Sequence, residues 1–302
     1  MSAAMAELEP LPRVLRNEPM AEHTSWRVGG PADLFCRPQS VAELKAFLSS
    51  LPVSTPLTWL GLGSNLLVRD GGIRGAVICT RALPRDIERL DGARVRAAAG
   101  VPCATLARRC ARWRLGPAAF FAGIPGTVGG ALAMNAGAFG GETWNRVESA
   151  QTIDRSGALN ERPRADFRVG YRSVQGPAGE WFLAATFALE PGRESETAAM
   201  KELLAKRNAS QPLGQPSAGS VFRNPPDDFA GRLIEEAGLK GARRGGAMVS
   251  EKHANFILNT GGAKAGDIEA LIEEIRTRVT QTSGIALELE VRIIGEPAER
   301  AR

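Results

Sequence analysis

Gly123-Ile124-Pro125-Gly126-Thr127-Val128-Gly129-Gly130, running on into Ala131-Leu-Ala-Met-Asn135-Ala-Gly137, is the longest glycine-rich motif of the chain. From Gly116 to Gly141 the chain carries no formal charge, and the Gly126-x-x-x-Gly130 spacing imitates a membrane span. Eight glycines and two prolines lie in that stretch, and in lipid they would leave backbone groups without partners. It reads instead as loops and a short helix packed closely around a ligand. A second glycine turn, Gly61-Leu-Gly63-Ser64-Asn65, stands sixty residues earlier. Glycine allows close approach and φ > 0, so successive N–H groups of such a turn can face a phosphate. The third glycine of a dinucleotide-binding βαβ fingerprint is missing, and a strand rather than a helix follows. Two such turns can enclose a pyrophosphate from two sides. A plain packing turn is the alternative for each alone.

The elements around these turns are mixed. Ser40-Val-Ala-Glu43 is a capping box that opens a helix through Leu48. Thr58–Leu60, Leu66–Val68 and Ala76–Cys79 read as short strands, and Asp91-Gly92 as a hairpin turn before Val95. Pro102 opens a helix and Gly116 follows its end. Val147–Asp154 and Phe182–Leu189 are strands. Beyond Pro191-Gly192 come a helix with Met200, Leu203 and Leu204 on one face, a proline-rich loop over 211–226, and a helix over about Phe229–Ala237. Phe256–Leu258 is a strand. Ile268, Leu271, Ile272, Ile275 and Val279 carry the i, i+3, i+4, i+7 spacing of an amphipathic helix. Leu287, Leu289, Val291 and Ile293 alternate with Glu288, Glu290 and Arg292 as a final strand. Without a regular βαβ rhythm, the fold class is α+β. The length of 302 residues suggests two domains, or three small ones.

Composition narrows the function. Hydrophobic and charged fractions of 43% and 24% are those of a soluble globular protein. The net charge of +5 would suit a nucleic-acid surface or a cavity that takes several phosphates. Arginines are scattered and not interleaved with aromatics, which argues against nucleic acid. Cys36, Cys79, Cys103 and Cys110 show no CxxC spacing, and the histidines are His23 and His253 alone, so no metal site is expected. Cys103 and Cys110 share a helical face with Leu106 and Trp113 and read as buried apolar residues. The N-terminus shows no export signal, and a reducing cytoplasm fits. G-x-S-x-G is absent and no histidine neighbours Ser220, so a hydrolase is not expected.

Seven motifs in order carry a resemblance. They are His23-Thr-Ser-Trp-Arg-Val-Gly29-Gly30-Pro-Ala-Asp33, Gly61-x-Gly63-Ser-Asn65, Ile124–Gly130 with Asn135-Ala-Gly137, Tyr171-Arg172, Gly219-Ser220-Val-Phe-Arg223-Asn224-Pro, Val249-Ser-Glu-Lys252-His-Ala-Asn-Phe256 and Leu289-Glu290-Val-Arg. Tyr171 is the single tyrosine of the chain. From about Asn17 to Gly295 the sequence resembles the UDP-N-acetylenolpyruvoylglucosamine reductases, flavoenzymes that make UDP-N-acetylmuramate for peptidoglycan.

The resemblance implies an FAD-binding fold of two α/β subdomains (1–85 and 86–195) and a C-terminal α+β substrate domain (196–302). It implies noncovalent FAD, held by Gly61, Gly63, Ser64, Asn65, Gly123, Ile124, Pro125, Gly126, Thr127, Gly129, Gly130, Asn135 and Gly137. NADPH would be the hydride donor. Arg172 would stabilise the enolate formed on the substrate, supported by Glu290 as a protonated or proton-sharing donor, and Ser220 would protonate carbon. Tyr171, Arg223, Asn224 and Lys252 would hold the sugar nucleotide. Arg223 stands where the family commonly has lysine. The short segment after Arg172 places the chain in the class that lacks an extra tyrosine loop, which leaves open what covers the diphosphate. Oligomeric state is not legible. The rival expectations are another FAD oxidoreductase of this fold, or a non-catalytic basic nucleotide- or RNA-binding protein.

Overall fold

A computed structural model describes residues 12–192 and 195–298. The reading of the N-terminus as lacking an export signal falls on residues 1–11 and lies outside them. Among the described residues no helix is long and apolar enough to cross a membrane.

The first unit is a four-stranded sheet in the order β1 (Val14–Pro19), β2 (Pro31–Cys36), β5 (Ile73–Cys79), β3 (Leu57–Leu60). β1 and β2 are antiparallel, whereas β2–β5 and β5–β3 are parallel. Helix α1 (Val41–Ser50) makes the crossover and buries Leu44, Phe47 and Leu48 against the sheet. It begins where the capping box placed it: Ser40 Oγ accepts from Glu43 N at 3.0 Å, and Gln39 N donates to the Glu43 carboxylate at 2.8 Å. The short β4 (Leu66–Val68) pairs in parallel with Arg292–Ile294, so the end of the chain returns to the first unit.

The second unit is a five-stranded antiparallel sheet in the order Leu159–Pro163, Val147–Asp154, Glu180–Ala188, β7 (Arg94–Ala98), β6 (Ile87–Arg89). Asp91-Gly92 forms the β6–β7 turn as expected. Helices α2 (Cys103–Arg112) and α3 (Val128–Met134) contribute their buried faces to its core, and Met200 and Leu204 of α4 (Ser195–Ser210) pack on the same core. The end of α2 differs from expectation. Arg114, at φ 56°, turns the chain out of the helix, and Gly116 instead pairs with Glu190 in a two-residue ladder.

The third unit holds α5 (Ala230–Glu236), α6 (Ala265–Ser283) and a three-stranded antiparallel sheet of Arg243–Arg244, Ala247–Val249 and Ile257–Asn259. Ile268, Leu271, Ile272, Ile275 and Val279 of α6 are all 1% exposed or less. Each contributes roughly 1.5–3 kcal/mol by leaving water. Trp26, Val28 and Leu67 of the first unit enter this core, and Trp26 Nε1 donates to Ile257 O at 2.7 Å. The final strand is shorter than its alternation suggested. Only Arg292–Ile294 forms a ladder. Leu287 and Val291 are buried and Glu288 is exposed, as the pattern required. The backbone N–H groups of Glu290 and Val291, however, converge on one carbonyl, Val221 O, at 2.8 and 3.4 Å. That convergence breaks the ladder beside the Ser220 loop and leaves Glu290 facing inward.

Candidate active site

A cavity of about 670 Å³ opens where the three units meet. Both glycine turns, Arg172, Ser220, Asn224 and Glu290 line it.

The turn Gly61–Asn65 is fixed from behind by the His23-Thr-Ser segment. Gly63 has φ +63°, and a Cβ there would lie 2.1 Å from His23 O. Ser25 N donates to Gly63 O at 3.1 Å. No side chain fits between these segments, which accounts for glycine at 63 and for the motif that backs it. Gly126 and Gly130 differ. The nearest protein atom to a Cβ built on them is 3.6 and 3.7 Å away, so packing within the chain does not demand glycine there. A side chain would instead project from the cavity wall. The N–H groups of Gly63, Ser64, Asn65, Gly126 and Thr127 make no hydrogen bond within the described residues. Two turns with five open donors suit a diphosphate. Gly129 packs: its N–H donates to Ala99 O at 2.9 Å, and a Cβ would meet Ala99 Cβ at 2.8 Å.

A smaller cavity of about 220 Å³ adjoins the first at Trp59, Gly61, Gly130 and Ala133 and reaches Trp181. Trp59 stacks on Trp181 at 5.0 Å, and its buried Nε1 has no partner among the described residues. An orphaned donor at the junction of two cavities, with open N–H groups beside it, fits an elongated dinucleotide such as FAD.

Arg172, also on the cavity wall, is held in the left-handed region at φ 51°. Its Nε donates to Glu290 Oε1 at 2.8 Å, Nη1 to Asn135 O at 3.3 Å and Nη2 to Gly137 O at 3.2 Å. Both side chains of the ion pair are largely buried, at 14% and 15% exposure. Such a pair is stronger than a surface one and holds its geometry. Tyr171 is 47% exposed, with its ring 4.9 Å from the Arg172 Cζ. Burial first, then the Glu290 charge, pushes its phenol above the usual tyrosine range.

Ser220 lies on a loop clamped by Asn255. Val221 N donates to Asn255 O, Phe222 N donates to Asn255 Oδ1 at 2.9 Å, and Asn255 Nδ2 donates to Phe222 O at 2.8 Å. The Ser220 hydroxyl has no partner among the described residues and faces the cavity. Asn224 is on the wall too, with Oδ1 accepting from Ala230 N at 3.1 Å.

Other expected residues stand further off. The Asn135 side chain is buried behind the wall. Arg223 is not on the cavity wall; its Nη1 reaches Glu288 at 3.4 Å. Lys252 is exposed and its Nζ donates to Asn208 O of α4 at 2.7 Å, away from the wall. The neighbouring Arg207 and Gln211 do line the cavity, joined by Arg207 Nε to Gln211 Oε1 at 3.0 Å. They were missed, as was Phe229, because a lone arginine, glutamine or phenylalanine carries no motif. Asn255 lay inside a quoted motif, but nothing in its type announced a clamp.

Residues 32–161 match the family model described as FAD binding domain, and residues 211–294 the one described as UDP-N-acetylenolpyruvoylglucosamine reductase, C-terminal domain. Fold and site together define an FAD-dependent oxidoreductase. The reductase of Alkalilimnicola ehrlichii bearing that name is 60% identical over 293 residues, spanning 96% of this chain and 98% of its own. That of Methylococcus capsulatus is 58% identical over 283 residues, or 93% of each chain. The crystal structure of the Thermus caldophilus enzyme superposes with a TM-score of 0.80 at 34% identity, covering 94% of this chain and 99% of that one. The chain belongs to the UDP-N-acetylenolpyruvoylglucosamine reductase family.

Proposed function

We propose that the chain reduces UDP-N-acetylenolpyruvoylglucosamine to UDP-N-acetylmuramate with NADPH, a step of peptidoglycan synthesis, and that Arg172, Glu290 and Ser220 perform it. The observation that carries this reading is the Arg172–Glu290 pair, 118 residues apart in sequence, on the wall of a cavity that also presents Ser220. Bound FAD supplies the two-electron hydride chemistry. Gly61, Gly63, Ser64 and Asn65 would hold it from one side, and Gly123 to Thr127 with Gly130 from the other.

Hydride arriving at C3 of the enolpyruvyl group drives its electron pair into the adjoining carboxylate as an enolate. A guanidinium fixed beforehand beside that carboxylate stabilises the charge as it develops and needs no rearrangement. Glu290 fixes it: Oε1 is occupied by Arg172 Nε, and Oε2 is the atom that can hold or share a proton. The Ser220 hydroxyl, free of partners among the described residues, would deliver the proton to C2. Tyr171 and Asn224 would contact the sugar nucleotide. Arg223 would act beside Tyr171, and Lys252 through α4, where Arg207 and Gln211 reach the cavity. Only Ser173–Gly179 separates Arg172 from the strand at Glu180, as in the class without the tyrosine loop, and the exposed Phe229 at the cavity would cover the ligand instead. Three units, 1–85, 86–195 and 196–302, and a cytoplasmic setting complete the reading.

The test separates the half-reactions. In anaerobic stopped flow, NADPH should bleach the flavin of wild type and of Ser220→Ala within a few-fold of each other. Reoxidation by the enolpyruvyl substrate should be slower in Ser220→Ala by about 10²-fold or more. Equal slowing of both steps would make the hydroxyl structural, and no reoxidation by that substrate in wild type would remove the proposed activity.

A further inference from the structure

Asn135 ends α3 and is 1% exposed. It has φ 46° and ψ 54°, a left-handed conformation that asparagine adopts more readily than other non-glycine residues. Glycine would be the ordinary residue at this helix end, and the neighbouring sequence is full of glycine. The asparagine side chain adds bonds that glycine would lack, and those its amide makes lie within the protein. Oδ1 accepts from Trp144 N at 3.1 Å. Nδ2 donates to Gly170 O at 3.1 Å and to Glu142 Oε2 at 2.9 Å. Two acceptors on one side and a donor on the other fix which way the amide faces. Both Nδ2 protons are engaged and the side chain is off the cavity wall, so its bonds serve the protein's own framework.

What it does touch is the Arg172 turn, from two directions. Its amide holds Gly170, two residues before Arg172, while its own carbonyl accepts from Arg172 Nη1. Gly137 O, two residues on, accepts from Nη2. The conformation at Asn135 thus sets both carbonyls that receive the guanidinium, and the same side chain sets the backbone that carries it. Glu290 takes only Nε. Glu142 fixes the amide and stands close by, since a Cβ on Gly137 would lie 3.2 Å from both Glu142 Cγ and Arg172 Nη1. A long arginine side chain has many rotamers, and an unheld one would meet the substrate in many poses.

We propose that Asn135, oriented by Glu142, is the positioning residue that holds the Arg172 guanidinium in its working pose before substrate binds. The proposal rests on the role of Arg172 given above. Displacing a positioned group by about 1 Å can cost on the order of 10²-fold in rate. In anaerobic half-reactions of the FAD-loaded enzyme, Asn135→Ala should lower the limiting rate of reoxidation by the enolpyruvyl substrate roughly 10- to 100-fold. Half-saturation should move less than about three-fold, and flavin reduction by NADPH less than about two-fold, because neither requires the guanidinium in that pose. Asn135→Gly, which keeps the left-handed turn without strain, should show the same loss, and it decides the matter if Asn135→Ala does not fold. Glu142→Ala should lose reoxidation in the same direction and Glu142→Gln should recover most of it, because the glutamine oxygen still accepts from Nδ2.

A double-mutant cycle distinguishes positioning from general damage. In an Arg172→Ala background, Asn135→Ala should cost nothing further in reoxidation. The inference falls if Asn135→Gly reoxidises like wild type, if the cost of Asn135→Ala carries over undiminished into Arg172→Ala, or if both half-reactions slow alike. Normal reoxidation by Arg172→Ala alone would instead remove the role of Arg172.

Discussion

Asn255→Ala removes the clamp on the Ser220 loop, and its cost can be worked from the bonds lost. Asn255 is buried, and its amide makes both hydrogen bonds of the Phe222 peptide groups, N–H to Oδ1 and C=O to Nδ2. Phe222 is buried as well, so solvent does not replace them in place. Alanine leaves one donor and one acceptor without partners. At about 1–3 kcal/mol each, the loss is about 2–6 kcal/mol, a large part of a typical domain's stability. Asn255→Asp keeps the acceptor for Phe222 N but sets a second oxygen against Phe222 O, so it should be no better than alanine. Urea unfolding of the FAD-loaded protein at fixed flavin concentration, followed by tryptophan emission, measures this. Because Val221 O also anchors Glu290 N, the loosened loop should displace Ser220 and Glu290 together, and sugar-nucleotide reduction should fall with stability. A stability loss under about 0.5 kcal/mol would mean the two bonds are replaced by others, and the clamp argument would be wrong.

Three further expectations concern stability, pH and the cavity mouth. Burial pushes the Cys36 and Cys103 thiols up to about 12, above their unfolded value of about 8.5. Their contribution is whole below about pH 8.5 and is lost as pH rises toward the folded values, by about 1.4 kcal/mol per pH unit per thiol. Urea midpoints between pH 7.5 and 10.5 should thus fall more steeply in wild type than in Cys103→Ala, and parallel lines would refute this. Asp70 of the first unit accepts from Ala265 N and Gly266 N, both at 2.9 Å, and so caps α6 of the third; Asp70→Ala should cost about 0.5–2 kcal/mol in the same assay, and no change would deny the cap. Phe229 is 66% exposed at the cavity, and Phe229→Ala should raise half-saturation by the enolpyruvyl substrate several-fold while Phe229→Trp restores it; an unchanged value would show that the ring covers nothing.

Much of the fold was legible because local periodicity and burial agreed. The α6 stripe, the Ser40 cap and the Val147–Asp154 strand form where the residue spacing placed them. Sequence pattern misled where a long-range bond overrode it. Alternation could not show that Glu290 N and Val291 N share one carbonyl 69 residues away, because the partner is a loop. The end of α2 was misplaced for a similar reason. Arginine is an unusual residue for a left-handed turn, and Gly116 two residues after Arg114 was the more conventional signal.

The candidate site divides along the same line. The glycine turns were readable because their chemistry lies in the backbone, and glycine is the residue that exposes a backbone. Arg172, Ser220 and Glu290 were readable by resemblance alone, since each is an ordinary residue whose meaning comes from its neighbours. The supporting groups were hidden altogether. Asn255 and Asp70 act on peptide groups of segments distant in sequence, and Asn135, read as a phosphate-loop residue, grips the turn that carries Arg172 instead. Side chains of this kind join units whose cores also share residues, such as Trp26 in that of the third unit and Ile153 and Leu183 in that of the first. Trp26 is bonded to Ile257, Asp70 to the start of α6, Asn65 Nδ2 to Glu290 O at 3.1 Å, and Arg172 to Glu290. Each bond crosses from one unit to another or to the returning chain end, so the cavity takes its shape only when the units dock. Variants of Trp26, Asn65 and Asp70 should therefore impair FAD retention, read as flavin absorbance after gel filtration, together with catalysis, whereas a change confined to the Ser220 hydroxyl should separate them.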